Sequence, residues 1–156
     1  MNTFVIDTNV PIVANGRNTT ASNKCQKICI EILEEIVNSG SIAIDDKNII
    51  MDEYHRELNF TGQPSVGDEF YRFVFQNQGY PNKVERVKIT PSDSYGNFRE
   101  FPNSDTELNG FDLSDRKFVA VALTSSNNPE ILNATDSDWG NFAQPLSRYV
   151  KVRELC

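Results

Sequence analysis

The sequence predicts one α/β domain of three layers, α/β/α, around a central parallel sheet. Short apolar runs at Phe4-Val5-Ile6, Ile42-Ala43-Ile44 and Ile131-Leu132 each lead into acid, hydroxyl or amide residues. That is the pattern of strands buried on both faces that deliver polar groups at their carboxyl ends. Amphipathic helical stretches separate them, and such alternation requires right-handed crossovers and parallel pairing. With 156 residues, 38% of them hydrophobic, the chain suits a single domain over 1–156 that buries a core without staples.

Phe4 to Ile6 forms the first strand, and Pro11 sits where a first helical turn tolerates proline, opening a short helix that ends near Asn15-Gly16. After a loop at 17–20, Cys25, Ile28, Cys29, Ile32, Leu33, Ile36 and Val37 recur at helical spacing, giving a helix from Ser22 that stops at Ser39-Gly40. Ser41 to Ile44 is the second strand, running into Asp45-Asp46. Lys47 to Leu58 reads as a helix with Ile50, Met51, Tyr54 and Leu58 inward, Glu53 and Glu57 one turn apart, and the only histidine, His55, on its surface. Val66 to Gln76 is a helix carrying Phe70, Phe73 and Val74, and Val84 to Ile89 alternates as a strand. Thr90 to Gly110, rich in Pro, Ser, Asp, Asn and Gly, reads as a long irregular surface loop, either functional or mobile. Its aromatic residues Phe98 and Phe101, with Tyr80 and Tyr95, either pack the loop onto the core or stack on bases. Leu113 to Ser125 is a largely buried helix, Glu130 to Ala134 a strand ending in Thr135-Asp136-Ser137-Asp138, and Tyr149 to Arg153 the last strand.

A balance of 15 basic against 22 acidic residues, a formal charge of −7, argues against purely electrostatic attachment to nucleic acid or anionic membrane. It leaves a nucleic-acid enzyme open, because a local basic patch or divalent cations overcome phosphate repulsion. Arg86, Lys88, Arg116, Lys117, Arg148, Lys151 and Arg153 are candidates to line one side of a cleft. Cys25, Cys29 and Cys156 make an odd count; the first two read as small buried apolar residues in a reducing compartment, and no cysteine is assigned a role. No apolar run approaches the roughly 18 residues needed to span a bilayer and no secretory pattern opens the chain, so a cytoplasmic protein with no membrane partner is expected.

Chemistry concentrates in the carboxylates. Asp7, Asp45 or Asp46, and Asp136 with Asp138 fall at strand ends, and Asp115 lies at a helix start beside Asp112 and Ser114. Singly, each has an ordinary explanation: a cap at Asp7 or Asn9, a first-turn charge at Asp115, a surface charge at Glu53, an Asx turn at Asp136. Together they would repel one another, and a hard cation with oxygen ligands, Mg²⁺ or Mn²⁺, is the natural counter-charge.

Phe4-Val5-Ile6-Asp7-Thr8-Asn9, Met51-Asp52-Glu53-Tyr54 with Leu58, Asp115 to Ala122, and Thr135-Asp136-Ser137-Asp138-Trp139 resemble, in order, the four acidic blocks of PIN-domain ribonucleases, a family that includes VapC-type toxins and RNA-processing nucleases. The resemblance implies a PIN-like nuclease domain in which Asp7, Glu53, Asp115 and Asp136 are catalytic and, with Asp138, hold Mg²⁺ or Mn²⁺. It implies that Thr8, Asn9 and Thr135 support them and that RNA phosphodiesters are hydrolysed by metal-activated water. As partners it implies RNA, and it leaves open an antitoxin-like protein and a homodimer. The competing expectation is a PIN-like module that no longer cleaves and serves in binding or assembly. Phosphate-transfer folds whose first strand ends in Asp-x-Asp fit less well, because Asn9 replaces the second acid.

Overall fold

The computed structural model describes residues 2–18 and 20–156; Met1 and Thr19, the latter in the expected loop at 17–20, lie outside the described residues. Five strands, β1 (Thr3–Ile6), β2 (Ser41–Asp45), β3 (Val84–Val87), β4 (Glu130–Asn133) and β5 (Lys151–Glu154), form one sheet in the order β3-β2-β1-β4-β5, parallel throughout. With the helices described below, this is the expected three-layer α/β/α arrangement. β1 and β2 are buried along their whole lengths and β4 nearly so, as apolar runs in the middle of a parallel sheet require. The edge strands β3 and β5 carry the polar residues. Phe4 lies opposite Ile42 on one side and Glu130 on the other, so the ends of β1 and β4 come level and the ladder runs on to the Asp7 N–H, which donates to the Leu132 carbonyl at 3.1 Å.

The helices are α1 (Asn9–Ala14), α2 (Asn23–Ser39), α3 (Ile49–Glu57), α4 (Val66–Gln76), α5 (Arg116–Thr124), α6 (Ser137–Asn141) and α7 (Ala143–Leu146). Ser22 caps α2 by accepting from the Cys25 N–H at 3.0 Å, and the helix stops at Gly40. α1, α2 and α4 pack on one another, while α5 lies against β1, β2 and β4. Gly67 permits the close approach of α4 to α1: a Cβ there would run into the Pro11 carbonyl, and its own N–H reaches Asn15 Oδ1 at 2.7 Å.

Several expectations need correcting. The helix expected over Lys47–Leu58 begins at Ile49, because the Asp45 side chain gathers the N–H groups at its start. Leu113–Ser125 divides into a 3₁₀ turn (Leu113–Asp115) and α5, and two short helices, α6 and α7, occupy residues to which no element is assigned from sequence. The Thr90–Gly110 segment is irregular but packed. Phe98, Phe101 and Leu108 are buried, and the Arg116 guanidinium donates to the carbonyls of Asn109 and Phe111 at 3.0 Å while lying 4.4 Å from the Phe101 ring. The cysteine reading is overturned for Cys25 and Cys156, which form a disulfide across 131 residues; Cys29 is free and buried. Spacing along a chain carries no information about so distant a partner, and the bridge removes the support the cysteines lent to a reducing compartment. Among the described residues no helix is long and apolar enough to cross a membrane.

Candidate functional site

β1 ends by presenting Asp7 at the carboxyl edge of the sheet, where the turn after β4 and the start of α5 also arrive. Asp7 is buried and both of its oxygens are engaged: Oδ1 accepts from the Asn9 N–H at 3.1 Å and Oδ2 from the Trp139 indole at 2.8 Å. Burial pushes its carboxyl up to about 6 against the help of these two donors, and the negative charges of Glu53 and Asp136 push the same way.

Asp7, Asp115 and Asp136 each offer an oxygen within 4.8 Å of the others, and Asp115 forms a second such trio with Asp112 and Asp138. Asp115 is the residue at which α5 begins, yet its side chain makes no capping bond. It is turned into the acidic group instead, and its Oδ2 is enclosed with no hydrogen-bond partner. Burial, then the Asp7 and Asp136 carboxylates, hold its carboxyl well above the usual range. Asp136 caps α6 by accepting from the Asp138 N–H at 2.9 Å. Its position is fixed by buried Asn133, which donates to the Asp136 carbonyl at 2.9 Å and accepts from the Asp136 N–H at 3.2 Å. Asn9 completes this frame, its amide bonded to Asn133 Oδ1 at 2.7 Å and to the Ala134 N–H at 2.9 Å.

The remaining candidates distribute unevenly. Glu53 joins neither trio; one oxygen takes the Thr8 hydroxyl and the other the Lys117 ammonium, at 2.9 Å. Thr8 thus acts on Glu53, and Asn9 on both Asp7 and the Asp136 turn. Thr135 is exposed and its hydroxyl accepts from Asn18 at 3.3 Å, so the structure gives it no contact with an acid. Asp45 and Asp46 serve the backbone around α3 and Ile89. Of the basic residues, Arg116 is spent on loop carbonyls, Arg148 pairs with Asp105 and Glu107, and Arg153 pairs with Glu130. Lys117 pairs with a candidate acid, Glu53. It also faces a cleft of about 820 Å³ lined by Glu53, Arg56, Tyr95, Asp112 and Leu113 among others. Tyr95 is 96% exposed there, whereas Phe98 and Phe101 are buried in the packed segment. His55 is exposed, its ring bonded to the Tyr71 hydroxyl at 2.8 Å.

Sequence reasoning omitted Asp112 from the site, along with Trp139 as the clamp on Asp7 and Asn133 as the frame of the Asp136 turn. The only signal for Asp112 was a second acid three residues before Asp115; the other two contacts arise from tertiary packing. None of Asp7, Asp115 or Asp136 is in an ion pair among the described residues. A donor set made only of carboxylate oxygens, one of them enclosed and unpartnered, fits a hard divalent cation and lacks the nitrogen and sulfur that zinc favours. Fold and site together define a class, a parallel α/β protein with an acidic centre at the carboxyl edge of its sheet. No protein-family model and no curated protein matches the chain.

Proposed function

We propose that this protein is a Mg²⁺- or Mn²⁺-dependent endoribonuclease of PIN type. The observation that carries the reading is the trio of buried Asp7 and Asp115 with half-buried Asp136, and the unpartnered Asp115 Oδ2, an arrangement that is costly as it stands and is relieved by a cation. The four acidic blocks in family order and the adjacent cleft, of a size that takes a nucleotide, support it.

Asp7, Asp115 and Asp136 would hold the cation. When bound, it supplies a lowered pKa for water and a Lewis acid for charge developing on the phosphate. Trp139 and Asn9 fix both oxygens of Asp7, so that carboxylate cannot rotate away from its neighbours. Lys117 holds Glu53 and brings a positive charge to the cleft wall, where it offsets repulsion between the acids and an RNA phosphate.

The test is hydrolysis of labelled single-stranded RNA in Mn²⁺ by wild type, Asp7→Asn and Asp115→Asn. Each substitution is expected to lower the rate by about 100-fold or more. Cleavage that survives both removes the mechanism. The second reading, a non-cleaving PIN-like binding module, is favoured by one observation: Glu53 already has a protein counter-charge in Lys117. RNA binding without cleavage across varied RNAs and metals would select it.

A further inference from the structure

Two residues beyond β5, Cys156 is bonded to Cys25 in the first turn of α2. β5 is an edge strand, laddered on one side only, to β4. Only Val152 of its four residues is partly covered, so apolar burial contributes little to keeping the strand in place. Its Arg153–Glu130 ion pair, at 2.5 Å, is partly solvated and weak. Arg153 also lies 5.8 Å from the Phe4 ring, and Val152 and Leu155 pack against the core. Of the ties to β4, two end on one residue: the Leu155 N–H donates to the Asn133 carbonyl at 2.9 Å, and Glu154 Oε2 accepts from Asn133 Nδ2 at 2.6 Å. Asn133 is also the residue that closes the turn bearing Asp136 and accepts from Asn9, whose N–H holds Asp7. The bridge therefore stands at one end of a continuous run of bonds whose other end is the acidic centre.

We infer that the Cys25–Cys156 bridge is a thiol-exchange site that sets the alignment of Asp136 and Asp7, its co-reactant being a dithiol. The inference rests on the proposed nuclease reading only for its effect on RNA cleavage. A thiolate of the dithiol attacks Cys156 Sγ, on an exposed residue, breaking the S–S bond and releasing Cys25 as a thiolate that takes up a proton. The second thiol of the dithiol then displaces Cys156 from the mixed disulfide. Two protein thiols result, and the reductant, having given up two electrons, leaves as its own disulfide. The third sulfur, Cys29, lies within 4.8 Å of the other two, but burial pushes its thiol up to about 11, so it stays protonated and does not displace them. Opening the bridge frees the carboxyl end of β5, and with it Glu154 and Leu155, from Asn133.

The experiment uses the intact chain purified without reductant. Thiol titration after denaturation is expected to find one free cysteine, Cys29, and three after dithiothreitol. Hydrogen exchange is expected to speed up by about tenfold at 133–138 and 151–155 on reduction, with α5 unchanged. Mn²⁺ affinity by calorimetry is expected to fall by about tenfold, the lower end of what losing supporting contacts costs a metal site. Cys25→Ser and Cys156→Ser should behave as the reduced protein in either condition, and Cys29→Ser as wild type. Glu154→Ala should loosen 133–138 with the bridge intact, and Glu154→Gln, which keeps the acceptor, should restore it. Three free thiols before reduction, or exchange at 133–138 indifferent to reduction, overturns the inference. If exchange and Mn²⁺ affinity respond while RNA is cut in neither state, the exchange site stands and the nuclease reading falls. RNA cleavage indifferent to dithiothreitol in a bridged protein does the reverse.

Discussion

Asp7 and Asp45 stand at the carboxyl ends of adjacent central strands, each after an apolar run, and both are buried. Their surroundings make them opposites. Asp45 accepts from three backbone N–H groups, those of Lys47 and Ile49 at 2.9 Å and Ile50 at 2.8 Å, which close the entry to α3 around a left-handed Asn48 with φ of 64°. Asp7 receives two donors, one of them from Trp139, 132 residues away, and faces Asp115 and Asp136. A buried carboxylate ringed by donors has its oxygens satisfied and holds the backbone. One with fewer donors and anionic neighbours is repelled by them, a charge deficit that the proposed cation would meet.

The largest expected contrast comes from exchanging the two losses. Asp7→Asn should weaken Mn²⁺ binding by about 100-fold while leaving the metal-free fold as stable as wild type or more so, because repulsion is relieved. Asp45→Ala should cost about 3 kcal/mol in urea denaturation, through three orphaned N–H groups, and leave Mn²⁺ affinity of the folded protein within about twofold. Equal effects of the two on Mn²⁺ affinity would erase the distinction.

Next in size is the pH dependence of the chelated protein. The Asp7 carboxyl rises from 3.8 to about 6 on folding, so between those values the native state binds more protons than the unfolded chain. The stabilisation is complete below 3.8 and is lost as pH climbs through about 6, a decline of about 3 kcal/mol. Asp7→Asn should flatten that slope and saturating Mn²⁺ should reverse it, both readable by denaturation at stepped pH. Trp139→Phe sharpens the comparison further. Losing the indole donor should cost about 1–2 kcal/mol and move the Asp7 transition to higher pH. The smallest change is expected at Thr135→Ala, within about 0.5 kcal/mol and without effect on Mn²⁺ affinity, since its hydroxyl meets only Asn18.

The sheet was legible because β1, β2 and β4 are buried on both faces and leave unbroken apolar runs, and α2 because its inward stripe repeats over more than four turns. The order of Asp7, Asp115 and Asp136 was legible for a related reason: strand ends and helix starts in such a sheet meet at one edge. What stayed hidden depends on distance in the chain. The partner of Glu53 is Lys117, 64 residues on, and that of Cys25 is 131 residues on. The Thr90–Gly110 segment gave no periodic signal because its backbone is bonded through successive short turns, with Arg116 collecting the carbonyls of Leu108, Asn109 and Phe111 at its end. Asp112 differs again; it was visible as an acid, but only the 3₁₀ turn at Leu113–Asp115 brings it into a trio with Asp115.

The reach from Asp7 to Trp139 also sets an order in time. At about 5–20 residues per second, a ribosome that has made Asp7 needs on the order of ten seconds to reach the indole that clamps it, and Asp115 and Asp136 also come late. The acidic centre therefore cannot exist on the growing chain until Asp136 and Trp139 have been added. A translation product that stops before residue 136 has Asp7 but lacks the trio that Asp7 forms with Asp115 and Asp136.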